Sequence, residues 1–251
     1  MKFQVITLES TPERYAQFLS RNPFKPFKFE KFSAIDGNHL NIEHFKAAGS
    51  IVGDPNYTLG AYGCAFSHLS LWERCSVQEE VFHIAEDDAV FRSDLAKHIT
   101  STMKKFPNFD LLYWGYNRDL NFAMQFPGFG EVTALFNESS ICTEDDLIHF
   151  QNNHLPFIFP KVGRVFGTLC YSVSPKGARK LLSTYYPIQP VFKSVNWSDG
   201  LGRNQNYHFE NVGVDVATGV ILADQYDSYA AFPPLAVSLG TLGLPSQTQR
   251  S

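Results

Sequence analysis

The chain has 251 residues, 44% of them hydrophobic, which is enough for a sizeable core and excludes both a disordered chain and a small cross-linked scaffold. Its 21 Lys and Arg against 25 Asp and Glu give a net charge of -4, so bulk electrostatics offer nucleic acid no basic surface. Aromatic residues make up 15%, 23 of them Phe, against only 18% charged residues; such a chain either builds a thick core or uses rings to stack on a ligand.

Residues 5–8 form a short apolar run that predicts a first strand. Ser10-Thr11-Pro12-Glu13 supplies a cap, a helix-opening proline and an acidic first turn, and Tyr15, Phe18 and Leu19 follow at helical spacing. Residues 29–35 alternate weakly and end at the turn signal Asp36-Gly37. A helix is predicted over 60–77, entered through glycines, with Ala65, Leu69, Trp72 and Cys75 on one side. Residues 81–85 read as a strand that runs straight into Glu86-Asp87-Asp88.

Ser93-Asp94 caps a helix with Leu95, Ile99, Met103 and Phe106 on its apolar face, and 110–114 is a strand ending at Gly115. Residues 117–165 read as one long irregular segment, a length typical of lids and binding insertions. Residues 167–173 are a small apolar strand, and Ser174-Pro175 caps a helix carrying Ala178, Leu181 and Leu182. Beyond Tyr185 periodicity weakens, with 220–223 the last strand candidate and 247–251 a frayed tail. Strands alternating with helices predict an α/β fold with a mostly parallel central sheet, which binds ligands at the carboxyl ends of its strands.

Four cysteines without a C-x-x-C pair support neither a disulfide framework nor a zinc ribbon. The opening apolar stretch is too short for a signal peptide, and no run approaches the roughly 20 apolar residues of a membrane span. The expectation is a cytoplasmic protein, with the N-x-[ST] triplets at Asn56, Asn137 and Asn196 read as chance matches and peripheral contact at the inner membrane face left open.

Glu86-Asp87-Asp88 puts three carboxylates at the ligand edge of a sheet, where crowding is costly unless a cation or hydrogen-bond donors compensate. A divalent ion on oxygen ligands, holding a diphosphate, is one compensation; a solvated acidic turn is the competing reading. Glu144-Asp145-Asp146 carries similar letters but follows a polar loop, and Thr143 with Asp146 suits a helix start. The stretch Phe24-Lys25-Pro26-Phe27-Lys28-Phe29-Glu30-Lys31-Phe32 suits either an anionic membrane surface or a loop with its rings packed inward.

In order along the chain, Val5-Ile6-Thr7-Leu8 with Pro12-Glu13-Arg14, Ala34-Ile35-Asp36-Gly37, the Gly60 to Trp72 helix with Gly63-Cys64 and Ser67-His68, Ile84-Ala85-Glu86-Asp87-Asp88-Ala89, and Gly167-Thr168 to Ser174 with Lys176-Gly177-Ala178 resemble glycosyltransferase family 25, which includes bacterial lipooligosaccharide galactosyltransferases and collagen galactosyltransferases. The resemblance implies a single GT-A type domain, with 1–115 as the nucleotide-sugar half, 116–240 as the acceptor half and 241–251 as a tail. It implies an inverting hexosyltransferase that uses Mn²⁺ or Mg²⁺ and a nucleotide sugar, UDP-galactose favoured, toward a glycan acceptor such as a lipopolysaccharide core.

On that resemblance Asp88 is the leading metal ligand, with Glu86 on the metal or the ribose, and Thr7, Leu8, Arg14, Asp36 and Asp87 around the nucleotide. His208 and Asp224 are candidates to complete the metal shell. The family's Pro-x-Asp segment after the late helix has Asp199 as its nearest counterpart, which makes Asp199 the candidate base, with Glu210 in reserve. His68, a lone helical histidine, reads as a packing residue before a ligand. The rings of 113–136 and 150–166, with Trp197, are expected to line an aromatic acceptor cleft. Two rivals remain: a family member that binds carbohydrate without turnover, and a phosphoryl or nucleotidyl transferase, which would want a phosphate cradle that Glu9-Ser10-Thr11 does not supply.

Overall fold

Strand β1 (Lys2–Thr7) alternates its side chains between two cores: Phe3 and Val5 face one, Ile6 the other. A computed structural model describes residues 1–118, 121–136, 143–198 and 204–238, with the side chains of 197, 198 and 204 outside the description. After α1 (Pro12–Arg21), β2 (Lys28–Ser33) pairs parallel to β1. A tight turn at Gly37–His39 and the short α2 (Ile42–Ala47) lead to α3 (Leu59–Gln78), capped by the Thr58 hydroxyl, which accepts from the Ala61 N–H. Then come β3 (Phe82–Glu86), β4 (Ala89–Phe91), α4 (Leu95–Lys105) and β5 (Leu111–Gly115).

Residues 117–165 are not one irregular segment. They hold β6 (Phe122–Phe126), β7 (Gly130–Ala134), α5 (Glu144–Asn152) and β8 (Lys161–Arg164). The chain continues through β9 (Cys170–Val173), α6 (Pro175–Tyr185), the hairpin of β10 (Phe192–Ser198) and β11 (Asn204–Glu210), a run of helical turns over 214–225, β12 (Ser228–Ala230) and β13 (Ala236–Ser238). The predicted strand at 220–223 lies inside those helical turns.

The main sheet runs β2-β1-β3-β9-β5-β12-β8-β6-β7, with β13 joined to β5 and β4. Strands β2, β1, β3, β5 and β12 share one direction and β9 runs against them. The expected α/β architecture with a mostly parallel central sheet is therefore present. Helices α3 and α6 cover one face, over Ile84, Leu111, Tyr113 and Tyr171; α1 and α4 cover the other, over Val5, Leu112 and Trp114. Trp72, Trp114 and Phe91 are completely enclosed, and each side chain of this kind contributes roughly 1.5–3 kcal/mol by leaving water.

The ring excess is mostly core. Tyr113, Trp114, Tyr116, Phe122 and Phe166, expected on a cleft, are buried, and Phe157 and Phe159 pack against Arg92 and Trp114. In that region Phe129 does stand in solvent, while Trp197 falls outside the described side chains. The reason is the sheet extension β8-β6-β7: a segment that builds sheet turns its rings to the inner face. The rings of Phe27 and Phe29 likewise turn inward, onto Phe3 and Phe91, while Lys25 and Lys28 stay exposed.

Candidate active site

Because β1, β2 and β3 run the same way, their carboxyl ends stand side by side. Thr7 and Leu8 close β1, Ala34 to Asp36 follow β2, and Glu86 closes β3 before the Asp87-Asp88 turn. Helix α3 completes the enclosure with Gly60, Cys64, Ser67 and His68, around a cavity of about 120 Å³. Two glycines permit this closeness: a Cβ on Gly63 would meet the Ile35 carbonyl at 2.4 Å, and one on Gly37 would strike the Leu59 carbonyl. Ser67 then fastens the loop, its Oγ accepting from the Ile35 N–H at 2.8 Å. A wider groove of about 830 Å³ lies by Met1, Lys25 and Lys97 at the opposite end of β1, away from these carboxylates.

The three acids have different surroundings. Asp87 is buried against Arg14, whose Nε and Nη2 lie 2.7 and 2.6 Å from Oδ1. Glu86 Oε1 accepts from the Thr168 hydroxyl at 2.6 Å and lies 3.8 Å from His68 Nε2. Burial opposes ionisation of Glu86, yet the His68 ring, the Thr168 hydroxyl and the Arg14 charge together hold its carboxyl below the usual range. Asp88 is the reverse case: burial and the Glu86 charge push it up to about 7. Its Oδ1 is buried with no hydrogen-bond partner among the described residues.

An orphaned carboxylate oxygen beside a second, ionised carboxylate fits a hard divalent cation, which would satisfy the lone pairs and offset the repulsion. Asp88 and Glu86 are the residues that would hold it. Thr7 adds another buried oxygen in the same lining, without a partner among the described residues, and Arg14 engages Asp87 from within that lining. Asp36 caps the turn after β2 through the Asn38 N–H at 3.0 Å, which fixes the loop at the cavity rim. Thr7, Leu8, Arg14, Asp36, Glu86, Asp87 and Asp88 thus line one cavity.

Other sequence-derived candidates do not join them. His208 is exposed on β11 and bonds Ser194 Oγ at 2.7 Å; Asp224 is exposed and pairs with Lys193 at 3.3 Å. Glu210, at the end of β11, accepts from Asn56 at 3.4 Å, and none of the three lines the cavity. Asp199 lies outside the described residues. Glu144 to Asp146 open α5 in a reciprocal cap with Thr143, as the helix-start reading expects.

Sequence reasoning missed Asp215. This half-buried acid sits in the helical turns after β11, where burial and the Glu86 charge raise its pKa while backbone N–H groups, including that of Gly167, hold the carboxylate. The signal was weak: a single acid in an apolar run, separated from α6 by the β10–β11 hairpin. His68 is fully buried, with Nδ1 on the Tyr171 hydroxyl at 2.8 Å.

A family model described as glycosyltransferase family 25 (LPS biosynthesis protein) matches residues 1–196. Proteins named Glycosyltransferase 25 family member are similar to this chain: one from Drosophila pseudoobscura pseudoobscura at 28% identity over 71% of the chain, and one from Anopheles gambiae at 26% over 71%. A third, from Aedes aegypti, is 28% identical over 45% of the chain. The chain covers 26%, 28% and 21% of these relatives respectively, so it spans about a quarter of their length. Among solved structures, a UDP-glucose pyrophosphorylase mutant from Leishmania major in complex with UDP-glucose gives a TM-score of 0.34 at 11% identity, covering 91% of this chain and 61% of that one. A UDP-N-acetylglucosamine pyrophosphorylase from Entamoeba histolytica gives 0.34 at 9% identity, covering 90% and 57%.

Proposed function

Since the chain belongs to glycosyltransferase family 25, we propose that its cavity is the donor site of a metal-dependent, inverting GT-A type hexosyltransferase. UDP-galactose is the favoured donor, and a saccharide such as a lipopolysaccharide or lipooligosaccharide core is the acceptor. The observation that carries this reading is the buried Asp88 Oδ1, without a hydrogen-bond partner among the described residues, beside Glu86, whose carboxyl is held below the usual range, at the shared carboxyl edge of β1, β2 and β3.

Asp88 and Glu86 would hold a Mn²⁺ or Mg²⁺ ion, which would supply neutralisation of the leaving diphosphate when bound. Thr7, Leu8 and Asp36 line the side of the cavity suited to base and ribose. Arg14 fixes the Asp87 turn, so the carboxylates on either side are presented without reorganisation. Inversion requires a carboxylate to take the acceptor hydroxyl proton. Asp215 fits that role better than Glu210, because burial and the Glu86 charge raise its pKa, which makes it a proton-accepting group within electrostatic reach of Glu86. In chain order it follows α6 as the family's Pro-x-Asp acid does, with the β10–β11 hairpin interposed.

Among the described residues no helix is long and apolar enough to cross a membrane. Exposed lysines such as Lys25 and Lys28 suit peripheral contact with a membrane that carries a lipid-linked acceptor. The test of the donor reading is a thermal-shift screen of UDP, GDP and CMP sugars with and without Mn²⁺, followed by a transfer assay with the stabilising sugar. Stabilisation by a UDP-hexose only when Mn²⁺ is present supports it; indifference to every nucleotide sugar refutes it.

A further inference from the structure

Helix α3 sets Cys64 and His68 one turn apart, so both side chains leave the same face of the helix. That face meets the end of β3. Cys64 Sγ, a ring nitrogen of His68 and a carboxylate oxygen of Glu86 all lie within 4.8 Å of one another. The thiol is free, half-buried and part of the cavity lining.

His68 is the telling member. Its ring is completely buried, and Nε2 has no hydrogen-bond partner among the described residues, the nearest carboxylate oxygen standing 3.8 Å away on Glu86. Nδ1 is already engaged by the Tyr171 hydroxyl at 2.8 Å, and that hydroxyl also accepts from Trp72 Nε1 at 2.8 Å. With Nδ1 engaged by the Tyr171 hydroxyl, Nε2 is the ring nitrogen that faces the space shared with Cys64 and Glu86, and in the tautomer that carries its proton on Nδ1 it would offer a metal its lone pair. A buried, unsatisfied nitrogen is costly, and an imidazole oriented through its other nitrogen is the usual arrangement of a metal ligand.

We propose that Cys64, His68 and Glu86 form a site for a thiophilic divalent cation, zinc foremost, in the α3 wall of the cavity. The donor set is sulfur, nitrogen and oxygen, which suits zinc and disfavours magnesium or manganese. Bonds of about 2.0–2.3 Å to one ion place ligand atoms somewhat under 4 Å apart, so the observed spacing requires only a small contraction. Three protein ligands leave the fourth tetrahedral position open toward the cavity.

Glu86 is shared between this set and the Asp88 pair. Zinc therefore competes with the hard cation and inhibits transfer. That consequence rests on the proposed donor site; the metal site itself does not.

Cobalt(II) titration of the metal-free protein tests the site. The expected result is one equivalent bound, with tetrahedral visible bands and a near-ultraviolet thiolate-to-cobalt charge-transfer band, both removed by stoichiometric Zn²⁺. Cys64→Ser loses the charge-transfer band and binds Zn²⁺ at least about tenfold more weakly, while Asp88→Asn keeps the band. Circular dichroism verifies that each variant is folded, and Cys64→Ser is the conservative choice because serine fits the same space. Absence of the band in wild type, or its persistence in folded Cys64→Ser, overturns the proposal. A protein that binds cobalt in this way but transfers no sugar would refute the donor reading and leave this site standing.

Discussion

Arg14 on α1 and Asp87 after β3, 73 positions apart in sequence, meet in a buried ion pair with Nε 2.7 Å from Oδ1. Their side chains are 9% and 7% exposed, so neither charge has water to fall back on. The pair ties α1 to the acidic turn and leaves Glu86 and Asp88 to face the cavity. Removing one partner strands the other: Asp87→Ala should cost about 3–5 kcal/mol in chemical denaturation. Arg14→Met combined with Asp87→Leu should recover most of that loss, since a packed apolar pair avoids the stranded charge. A single Asp87→Ala variant as stable as wild type would show that the pair does not hold this turn.

Asp88 separates function from folding. Its carboxyl is pushed up to about 7 by burial and by Glu86, so the ionised form is disfavoured beside that second carboxylate. Asp88→Asn replaces it with a neutral group of the same shape. In metal-free buffer at alkaline pH the variant should melt no lower than wild type, and Mn²⁺ should no longer raise its Tm in the presence of a UDP sugar. Transfer should fall by roughly 100-fold or more, the effect of losing several kcal/mol of charge stabilisation. Near-normal turnover would remove Asp88 from the metal shell.

His83 makes a prediction about stability alone. It is buried on β3, with Nδ1 2.6 Å from the Ser172 hydroxyl, and burial pushes its pKa down to about 4 from an ordinary 6.5. The native state therefore refuses a proton that the unfolded chain accepts. Stability from this group is complete above pH 6.5 and is lost as pH falls toward 4, by an amount on the order of 3 kcal/mol. His83→Gln should flatten the urea-denaturation stability curve between those limits. An unchanged slope would assign the acid sensitivity to other groups.

That the residues at the ends of β1, β2 and β3 gather at one cavity was legible because their signals are local. An apolar strand that stops at Glu86-Asp87-Asp88, a proline-opened α1 bearing Arg14, and a turn at Asp36-Gly37 each follow from short-range chemistry, and parallel pairing then brings them together. Pairings across the chain were not legible. Nothing near Arg14 in sequence points to Asp87. Nothing in 117–165 shows that Gly130-Glu131-Val132-Thr133-Ala134 closes a sheet edge, since much of that strand is exposed and carries little apolar pattern. The run at 220–223 is apolar because it is buried, and burial alone does not distinguish strand from helix; the bond from Leu222 N–H to the Ala217 carbonyl decides for a helical turn.

Asp215 shows the same limit at the site itself. Counting on from α6 leads to Asp199 and β10–β11, whereas Asp215 comes only after that hairpin, where the charge of Glu86 acts on it. As the proposed base, Asp215 must be ionised to accept a proton, and burial with the Glu86 charge lifts its pKa above the ordinary carboxylate value. The sign follows: kcat/KM should rise with pH through an apparent pKa above the ordinary carboxylate range, then plateau. Asp215→Asn should lower kcat by about 100- to 10,000-fold while leaving the Mn²⁺-dependent stabilisation by a UDP sugar intact, because the donor residues are untouched. Asp215→Glu should retain part of the rate and move the acid limb. If Asp215→Asn keeps both the rate and the limb, the proton goes to another group, and Glu210 is the next to replace.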